Sequence, residues 1–260
     1  ILQVARRNGI EIPTLCYMKN AAPTGACRIC LVEVAGARAL VASCATPAAP
    51  KMVVRTETPR VVRARRMNLE LLLSSGHHNC LVQDLDMDSW TDFQLKAMSP
   101  KEHEDLCPAY GTCRLQELAI KDQIRTNRFA PNEPGHRIEN VNPFIVRDLS
   151  RCILCGRCVQ ACNEVQVNRA ISFGYRGKVA KIVAAGDRPL KDSDCVCCGE
   201  CVQVCPTGAL SEQKARTTWR PWKEKKRVRT TCPYCGVGCQ QWLHMQDGKI
   251  VKVTGVLGAE

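Results

Sequence analysis

The residues of this 260-residue chain that are best suited to chemistry are its 19 cysteines, which fall in tight runs. Thiols grouped with gaps of two or three residues are typical of metal or redox ligands, whereas a disulfide framework would scatter its cysteines. The last run, Cys232, Cys235 and Cys239, has the spacing C-x2-C-x3-C. An iron–sulfur cube usually takes four thiolates, so this run is one short. Either these three cysteines are not ligands, or the fourth ligand lies beyond Glu260.

Two longer runs in the middle of the chain repeat one spacing, C-x2-C-x2-C-x3-C. The repeat indicates a duplicated unit that holds two [4Fe–4S] clusters, with the fourth cysteine of each run binding the other cluster. Pro206 follows the second run, as in bacterial ferredoxins, whereas Asn163 follows the first. Cys197 breaks the spacing and is predicted not to bind iron. One cluster is expected to take Cys152, Cys155, Cys158 and Cys205, and the other Cys195, Cys198, Cys201 and Cys162.

The charge and hydropathy of the chain argue against two other classes of protein. The formal net charge is +12, yet each all-cysteine cluster contributes roughly −2, so the excess is better explained as compensation for buried anions. No recognition motif accompanies the basic charge, and nucleic acid is not expected as a partner. No run of 18 apolar residues is present, so no membrane span is predicted. Residues 1–9 lack the apolar core of a secretory signal and are typical of the end of an amphipathic helix closed by Gly9.

The first four cysteines of the chain form a set beside strand-like segments rich in Val and Leu. Loops that contain Gly and Ala surround their thiols. Such loops bring backbone N–H groups close to sulfur. The set resembles the [2Fe–2S] domain, a β-grasp ferredoxin, that begins the large iron–sulfur subunits of complex I type. That resemblance implies one [2Fe–2S] cluster in residues 1–60, bound by Cys16, Cys27, Cys30 and Cys44.

The second set follows a predicted helix over residues 61–76, with leucines facing inward and arginines outward. In the complex I and formate dehydrogenase families, one His and three Cys hold a [4Fe–4S] cluster with the spacing H-x3-C-x2-C-x5-C before a Leu-Gln helix. Here the last gap and the RLQELA helix match, but an acidic insertion at about 82–106 separates the front half from the rest. The resemblance implies the ligands Cys80, Cys107 and Cys113 with one histidine, for which His78 is favoured over His77 and His103.

The run CPYCGVGC, followed by a hairpin that turns at Asp247-Gly248, resembles the start of the molybdopterin oxidoreductase fold. In that fold a downstream cysteine completes the cluster. The expected fold class is therefore α+β, in five parts. These are a β-grasp [2Fe–2S] domain (1–60), a helical His/Cys domain (61–140), a double [4Fe–4S] ferredoxin domain (141–213), a basic linker (214–229) and the start of a molybdopterin domain (230–260).

The order of these parts resembles the catalytic subunit of an NAD-linked, molybdenum- or tungsten-dependent formate dehydrogenase. The resemblance implies a cytoplasmic protein in which electrons from formate reach a partner subunit carrying FMN and NAD. They would pass through one [2Fe–2S] and four [4Fe–4S] clusters, from a bis-pterin guanine dinucleotide site downstream of this chain. No residue in this chain is predicted to be catalytic. Another molybdopterin oxidoreductase, a complex I-like large subunit and a hydrogenase-type electron-transfer subunit remain alternatives.

Overall fold

The structure is a computed structural model, and it describes residues 1–78, 107–124, 128–130 and 135–256. Cys80, His103 and the insertion predicted at about 82–106 lie outside the described residues. Within the described ranges, no helix is long and apolar enough to cross a membrane.

The N-terminal part is a short helix on a three-stranded sheet. Helix α1 (Leu2–Arg7) ends before Gly9, whose φ of 71° lets the chain turn away as the sequence predicts. Strand β1 (Leu31–Val34) pairs with both neighbours, in the order β2-β1-β3. The neighbours are β2 (Val41–Ala42) and β3 (Val54–Arg55), both antiparallel to β1. The apolar side chains of this sheet pack against α1 around Cys30.

Helix α2 (Pro59–Ser74) begins where the sequence favours a start. Thr58 caps it, because its hydroxyl oxygen accepts a hydrogen bond from the amide of Val61 at 3.3 Å, and proline occupies the first helical position. The predicted division of this helix into a leucine face and an arginine face is only partly right. Leu69 is fully buried but Leu71 is exposed, and Arg65 is buried in an ion pair with Glu57.

The helix α3 (Arg114–Lys121) packs against α2. Leu115 and Leu118 of α3 join Leu69 of α2 in a core that also takes in Leu15 and Ile29 of the N-terminal part. The first two parts of the chain therefore share one core. Residues near the first cysteine set and residues near the second are buried against each other.

The ferredoxin part contains two antiparallel strand pairs and two four-residue helices. Strand β4 (Ile145–Arg147) pairs with β7 (Leu210–Glu212), and β5 (Ile171–Gly174) pairs with β6 (Lys181–Ala184). Helix α4 (Arg157–Gln160) is continued by a π-helical turn, and α5 (Glu200–Gln203) is its counterpart in the second repeat.

The last part is a three-stranded antiparallel sheet in the order β10-β9-β8. Strands β9 (Gln240–Gln246) and β10 (Lys249–Gly255) are joined at Asp247-Gly248, where both residues have positive φ. A two-residue loop with positive φ at both positions is the hairpin turn that Asp-Gly favours, as predicted. Strand β8 (Lys226–Thr231) lies on the other side of β9.

The segment predicted as a basic linker at 214–229 is folded rather than a solvated connector. Helix α6 (Ala215–Thr218) opens it, and Trp219 and Arg220 are buried directly after this helix. A 3₁₀ turn (Pro221–Lys223) then leads into β8. The charge of the segment indicated solvent exposure, whereas its two tryptophans supply apolar surface that packs against the rest of the chain.

Candidate metal centres

The first centre lies in the loops beside the N-terminal sheet. Cys16, Cys27 and Cys30 are buried, and Cys44 is half-buried. The amide of Cys16 donates to the sulfur of Cys27 at 3.4 Å, and the amide of Cys27 donates to the sulfur of Cys16 at 3.5 Å. Amide groups directed at sulfur stabilise thiolate charge, as a cluster site requires.

The four thiols of this centre interact as two hydrogen-bonded pairs. The hydrogen bond with Cys27 lowers the pKa of Cys16 to about 5, and the same bond raises the pKa of Cys27. The hydrogen bond with Cys44 likewise lowers the pKa of Cys30 to about 6 and raises that of Cys44. The charge of Cys16 also acts on Cys30 and Cys44, so the two pairs share one site. Four thiols converging in this way fit the [2Fe–2S] cluster predicted for them.

The ferredoxin part encloses a cavity with an empty volume, including its mouth, of about 810 Å³. Its other lining residues are mostly apolar, among them Ile145, Ile171 and Leu190. All the cysteines predicted to bind the two ferredoxin clusters line this cavity: Cys152, Cys155, Cys158, Cys162, Cys195, Cys198, Cys201 and Cys205. An apolar cavity with eight convergent thiols fits two [4Fe–4S] clusters, although which sulfur binds which iron remains a prediction.

Cys205 lies near the three first cysteines of the other run, and Cys162 lies near Cys201. Burial raises the pKa of Cys152 to about 11 and that of Cys155 to about 12, and the charge of Cys205 contributes to both increases. Burial likewise raises the pKa of Cys201 to about 12, and Cys162 is among the thiols that contribute. Iron binding would require these thiols to release their protons. Cys205 also acts on Cys201 of its own run, so the exchange of fourth ligands stays a prediction.

The two repeats match residue by residue at the start of each run. The amide of Leu154 donates to the sulfur of Cys152, and the amide of Cys197 donates to the sulfur of Cys195, both at 3.4 Å. Leu154 and Cys197 also share a positive φ, 52° and 54°. Cys197 therefore occupies the position of a leucine in the other repeat. Its sulfur lies 3.3 Å from the side-chain amide nitrogen of Asn142, and it is not part of the cavity lining.

The second centre is partly described. Cys107 and Cys113 are buried at the two ends of a turn that precedes α3. The side chain of Gln116, itself buried, accepts a hydrogen bond from the amide of Gly111 at 2.9 Å and so fixes this turn. The amide of Arg114 donates to the carbonyl oxygen of Pro206, which ties the turn to the second ferredoxin run.

Two of the candidate histidines, His77 and His78, lie in the loop that follows α2, and both are half-buried. The backbone of His77 is held at both ends, because its amide donates to the carbonyl oxygen of Ser150 at 2.8 Å and its carbonyl accepts from Arg151 at 2.9 Å. This places the loop beside the first ferredoxin run. The choice of His78 remains a prediction, since Cys80 and His103 are outside the described residues.

Changing His78 to alanine is expected to remove or convert one [4Fe–4S] signal while the other signals persist, because iron would lose its nitrogen ligand. The matched variant is His77→Ala. It keeps the two backbone hydrogen bonds that hold this loop, so it should leave every cluster intact. Low-temperature EPR spectra of the reduced proteins make the comparison. Loss of the signal in His77→Ala alone would shift the ligand by one residue.

Gly76 lets α2 approach the ferredoxin part closely. A Cβ atom at this position would lie 2.3 Å from the carbonyl oxygen of Ser150, which is backbone and cannot rotate away. We expect Gly76→Ala to destabilise the chain by about 1–3 kcal/mol, the usual effect of overpacking. The matched control is Gly236→Ala, where an added Cβ meets nothing within 4 Å. Thermal unfolding should show a lower Tm for Gly76→Ala only. Equal Tm values would mean that the contact with Ser150 is not close.

The third centre, at the end of β8, is the most exposed. Cys232 is half-buried, whereas Cys235 and Cys239 are exposed. The amide of Cys232 donates to the carbonyl oxygen of Cys239 at 2.8 Å and closes the loop. Tyr234 and Val237 within the loop are 92% and 78% exposed. This loop lacks the burial that surrounds the other cysteine sets.

No three His, Cys, Asp or Glu side chains in the described ranges meet as they would around a single metal ion. An iron–sulfur cluster distributes its thiolates over several irons, so its ligands need not converge on one point.

The buried arginine of the basic segment was not predicted from the sequence. Arg220 lies close enough to Cys107 for the thiolate charge to influence it. The available signal was the pair of tryptophans on either side, Trp219 and Trp222, in a segment otherwise rich in charge.

Three family models match the chain in the predicted order. The 2Fe-2S iron-sulfur cluster binding domain matches residues 1–59, and the ferredoxin-like domain of NADH-quinone oxidoreductase subunit 3 matches 142–211. The molybdopterin oxidoreductase Fe4S4 domain matches 225–256. Iron–sulfur and molybdopterin oxidoreductase domains are thus present, but no family model specific to formate dehydrogenase is among these matches.

Similar curated proteins belong to several oxidoreductases. The HndD subunit of an NADP-reducing hydrogenase of Solidesulfovibrio fructosivorans is 39% identical over 219 residues, which are 82% of this chain and 33% of that protein. An NADH-quinone oxidoreductase subunit of Rhizobium meliloti is 35% identical over 97% of this chain and 27% of its own length. The alpha subunit of an NADPH-Fe(3+) oxidoreductase of Geobacter sulfurreducens is 32% identical over 98% and 27%. The chain spans about a third or less of the length of these relatives.

A solved structure is similar over most of both chains. A chain of an NAD+-reducing [NiFe]-hydrogenase, in the H2-reduced state, superposes with a TM-score of 0.69 and 32% identity. The match covers 84% of this chain and 82% of that one. With this identity and coverage, the present chain belongs to the family of iron–sulfur subunits of NAD(P)-linked oxidoreductase complexes.

Proposed function

We propose that this chain is the electron-transferring iron–sulfur part of an NAD(P)-linked oxidoreductase complex. The main support is one continuous core that contains cysteines of the first centre, of the second centre and of the ferredoxin part. Cys16 and Cys27 of the first centre, Cys107 and Cys113 of the second, and Cys155 of the ferredoxin part are all buried in it. When bound at these sites, iron–sulfur clusters supply one-electron redox chemistry.

The residues of the chain position the centres and shield them from water. Cys155 lies both in the shared core and in the lining of the ferredoxin cavity, so it connects the second centre with the double-cluster unit. Backbone amides directed at the sulfurs of Cys16, Cys27 and Cys152 stabilise thiolate charge.

The partners at the two ends form the finer part of the proposal. The first centre would face a subunit that binds flavin and NAD(P)H, because the names of the relatives refer to NADH, NADP or NADPH. The exposed loop at Cys232–Cys239 would face a molybdopterin-binding body, for which the family match at 225–256 is the support. The fifth cluster, a molybdenum or tungsten bis-pterin site and formate or CO2 as substrate belong to this finer proposal.

A complex I-like or hydrogenase-type subunit is the second candidate function. Two relatives that cover 97% and 98% of the chain are subunits of an NADH-quinone oxidoreductase and of an NADPH-Fe(3+) oxidoreductase, and a similar solved structure is from a hydrogenase. These relatives support a complex I-like or hydrogenase-type role as well as, or better than, they support formate oxidation.

The native complex, purified anaerobically through a tag on this chain, tests both levels of the proposal. Addition of NADH or NADPH should bleach the cluster absorbance, and Cys155→Ser should reduce that bleaching. In separate samples of the oxidised complex, addition of formate or of hydrogen identifies the second substrate. Bleaching by formate would support the pterin assignment, and bleaching by hydrogen would support the hydrogenase type. Clusters that dithionite reduces but neither nucleotide reduces would contradict the proposed function.

A further inference from the structure

Arg220 is a buried cation whose partners are backbone carbonyl groups. Its side chain is in the segment between α6 and β8, and the residue is 6% exposed. One terminal nitrogen, Nη1, donates to the carbonyl oxygens of Arg216 and Trp219, both at 2.9 Å. Carbonyl oxygens satisfy hydrogen bonds but do not neutralise a full positive charge. A buried guanidinium of this kind is costly unless an anion lies nearby.

Other buried arginines of the described chain each have a carboxylate partner. Arg65 pairs with Glu57, Arg147 with Glu139, and Arg151 with Asp148. No carboxylate among the described residues lies within ion-pair distance of Arg220. The fold therefore neutralises buried guanidinium groups elsewhere, and the charge of Arg220 calls for a different kind of counter-ion.

The segment around Arg220 covers the turn that carries the second centre. Trp222 packs edge-on against Tyr110 with 5.8 Å between ring centroids. A Cβ atom at Gly111 would lie 3.2 Å from side-chain carbons of both Pro221 and Trp222, so the two segments are in close contact. Burial lowers the pKa of Arg220, and the negative charge of Cys107 acts in the opposite direction. Trp222 also packs against the core that contains Cys107 and Cys113, so the segment that carries Arg220 lies against the thiols of the cluster site.

We propose that Arg220 is the counter-charge of the cluster bound at Cys107 and raises the reduction potential of that cluster. The proposal rests on the proposed function, since it requires a cluster at this position. Reduction adds negative charge to the centre, and a fixed cation in a buried environment stabilises the reduced form more than the oxidised form. Arg220 therefore acts on the cluster through its fixed positive charge and does not bind iron. Hydrogen bonds around other metal sites tune those sites in a comparable way.

The test compares three variants of the holo complex by EPR-monitored redox titration. Arg220→Gln should lower the equilibrium constant for reduction of one [4Fe–4S] cluster about tenfold. This corresponds to a fall of about 59 mV in its reduction potential for a one-electron couple. Arg220→Lys keeps the charge and should keep the potential close to that of the unaltered protein. Lys223→Gln removes the same charge three residues away at an exposed position and should change nothing. The other clusters serve as internal references in each sample.

The outcomes separate the role of Arg220 from the proposed function. An unchanged potential in Arg220→Gln, or an equal shift in Lys223→Gln, would overturn the counter-charge proposal. If Arg220→Gln loses the cluster, retention of the cluster and its potential in Arg220→Lys still supports the proposal, and loss in both variants overturns it. Absence of any dithionite-reducible [4Fe–4S] signal in the unaltered complex would instead refute the proposed function.

Discussion

A serine in place of Cys205 is expected to disrupt the cluster of the first ferredoxin run and to lower the iron content by about four per chain. The reason is geometric, because Cys205 contributes charge at Cys152, Cys155 and Cys158. Serine is a poor ligand for iron, and a cube held by three thiolates exposes one iron to water. The affected cluster would thus be bound mainly by residues some fifty positions earlier in the sequence, and not by the run that contains the mutation.

Cys197→Ala is the matched control for that experiment. Cys197 belongs to the same run, but its sulfur contacts Asn142 and is not part of the cavity lining. Iron analysis and EPR of both variants should show loss of one cluster for Cys205→Ser and none for Cys197→Ala. Damage confined to the cluster of Cys195, Cys198 and Cys201 would contradict the exchange of fourth ligands. Loss of a cluster from Cys197→Ala would show that this thiol is a ligand.

The segment Ile1–Glu260 is expected to bind a cluster at Cys232, Cys235 and Cys239 poorly, and a longer segment that supplies the next cysteine is expected to gain about four irons. Two of these three thiols are exposed, and the loop between them presents Tyr234 and Val237 to solvent. A cluster there would lack both a fourth thiolate and an apolar cover. We propose that the following part of the pterin domain supplies both.

Parallel anaerobic reconstitution of the two segments measures this difference. The longer segment should hold about 18 irons and the shorter about 14, at two or four per cluster. A mutation of the added cysteine to serine in the longer segment should return the count to the lower value. A stable count of about 18 on Ile1–Glu260 alone would mean that another residue of this segment completes the site. The downstream-ligand proposal would then fall.

Local sequence signals predicted much of the fold. The hairpin at Asp247-Gly248 follows from turn chemistry, which acts over a few residues. The repeated cysteine spacing also fixed the symmetry of the ferredoxin part, where Leu154 and Cys197 have the same backbone conformation. These features depend on short-range geometry, which a single sequence carries.

The features that could not be predicted depend on contacts between distant parts of the chain. Arg65 is buried because Glu57 is beside it, although its position in the helix favoured exposure. In the segment 214–229, Trp222 packs against Tyr110 of the turn at Cys107–Cys113, more than a hundred residues away, and Trp219 packs against His244 of β9. Charge and composition describe a segment alone, and they do not reveal which surface will cover it.

The histidine ligand remained open for a related reason. The pattern of one histidine and three cysteines spans the insertion at about 82–106, so spacing could not decide among His77, His78 and His103. The structure adds that the backbone of His77 is anchored to Ser150 and Arg151. That anchor fixes the position of the loop, and the choice of His78 stays a prediction.

The most direct test of the central claim is the iron and acid-labile sulfide content of Ile1–Glu260 after anaerobic reconstitution, with EPR of the reduced protein. We predict about 14 irons and a similar amount of sulfide, distributed over one [2Fe–2S] and three [4Fe–4S] centres. A protein that binds zinc without sulfide, or that shows no [2Fe–2S] signal beside the [4Fe–4S] signals, would contradict this prediction.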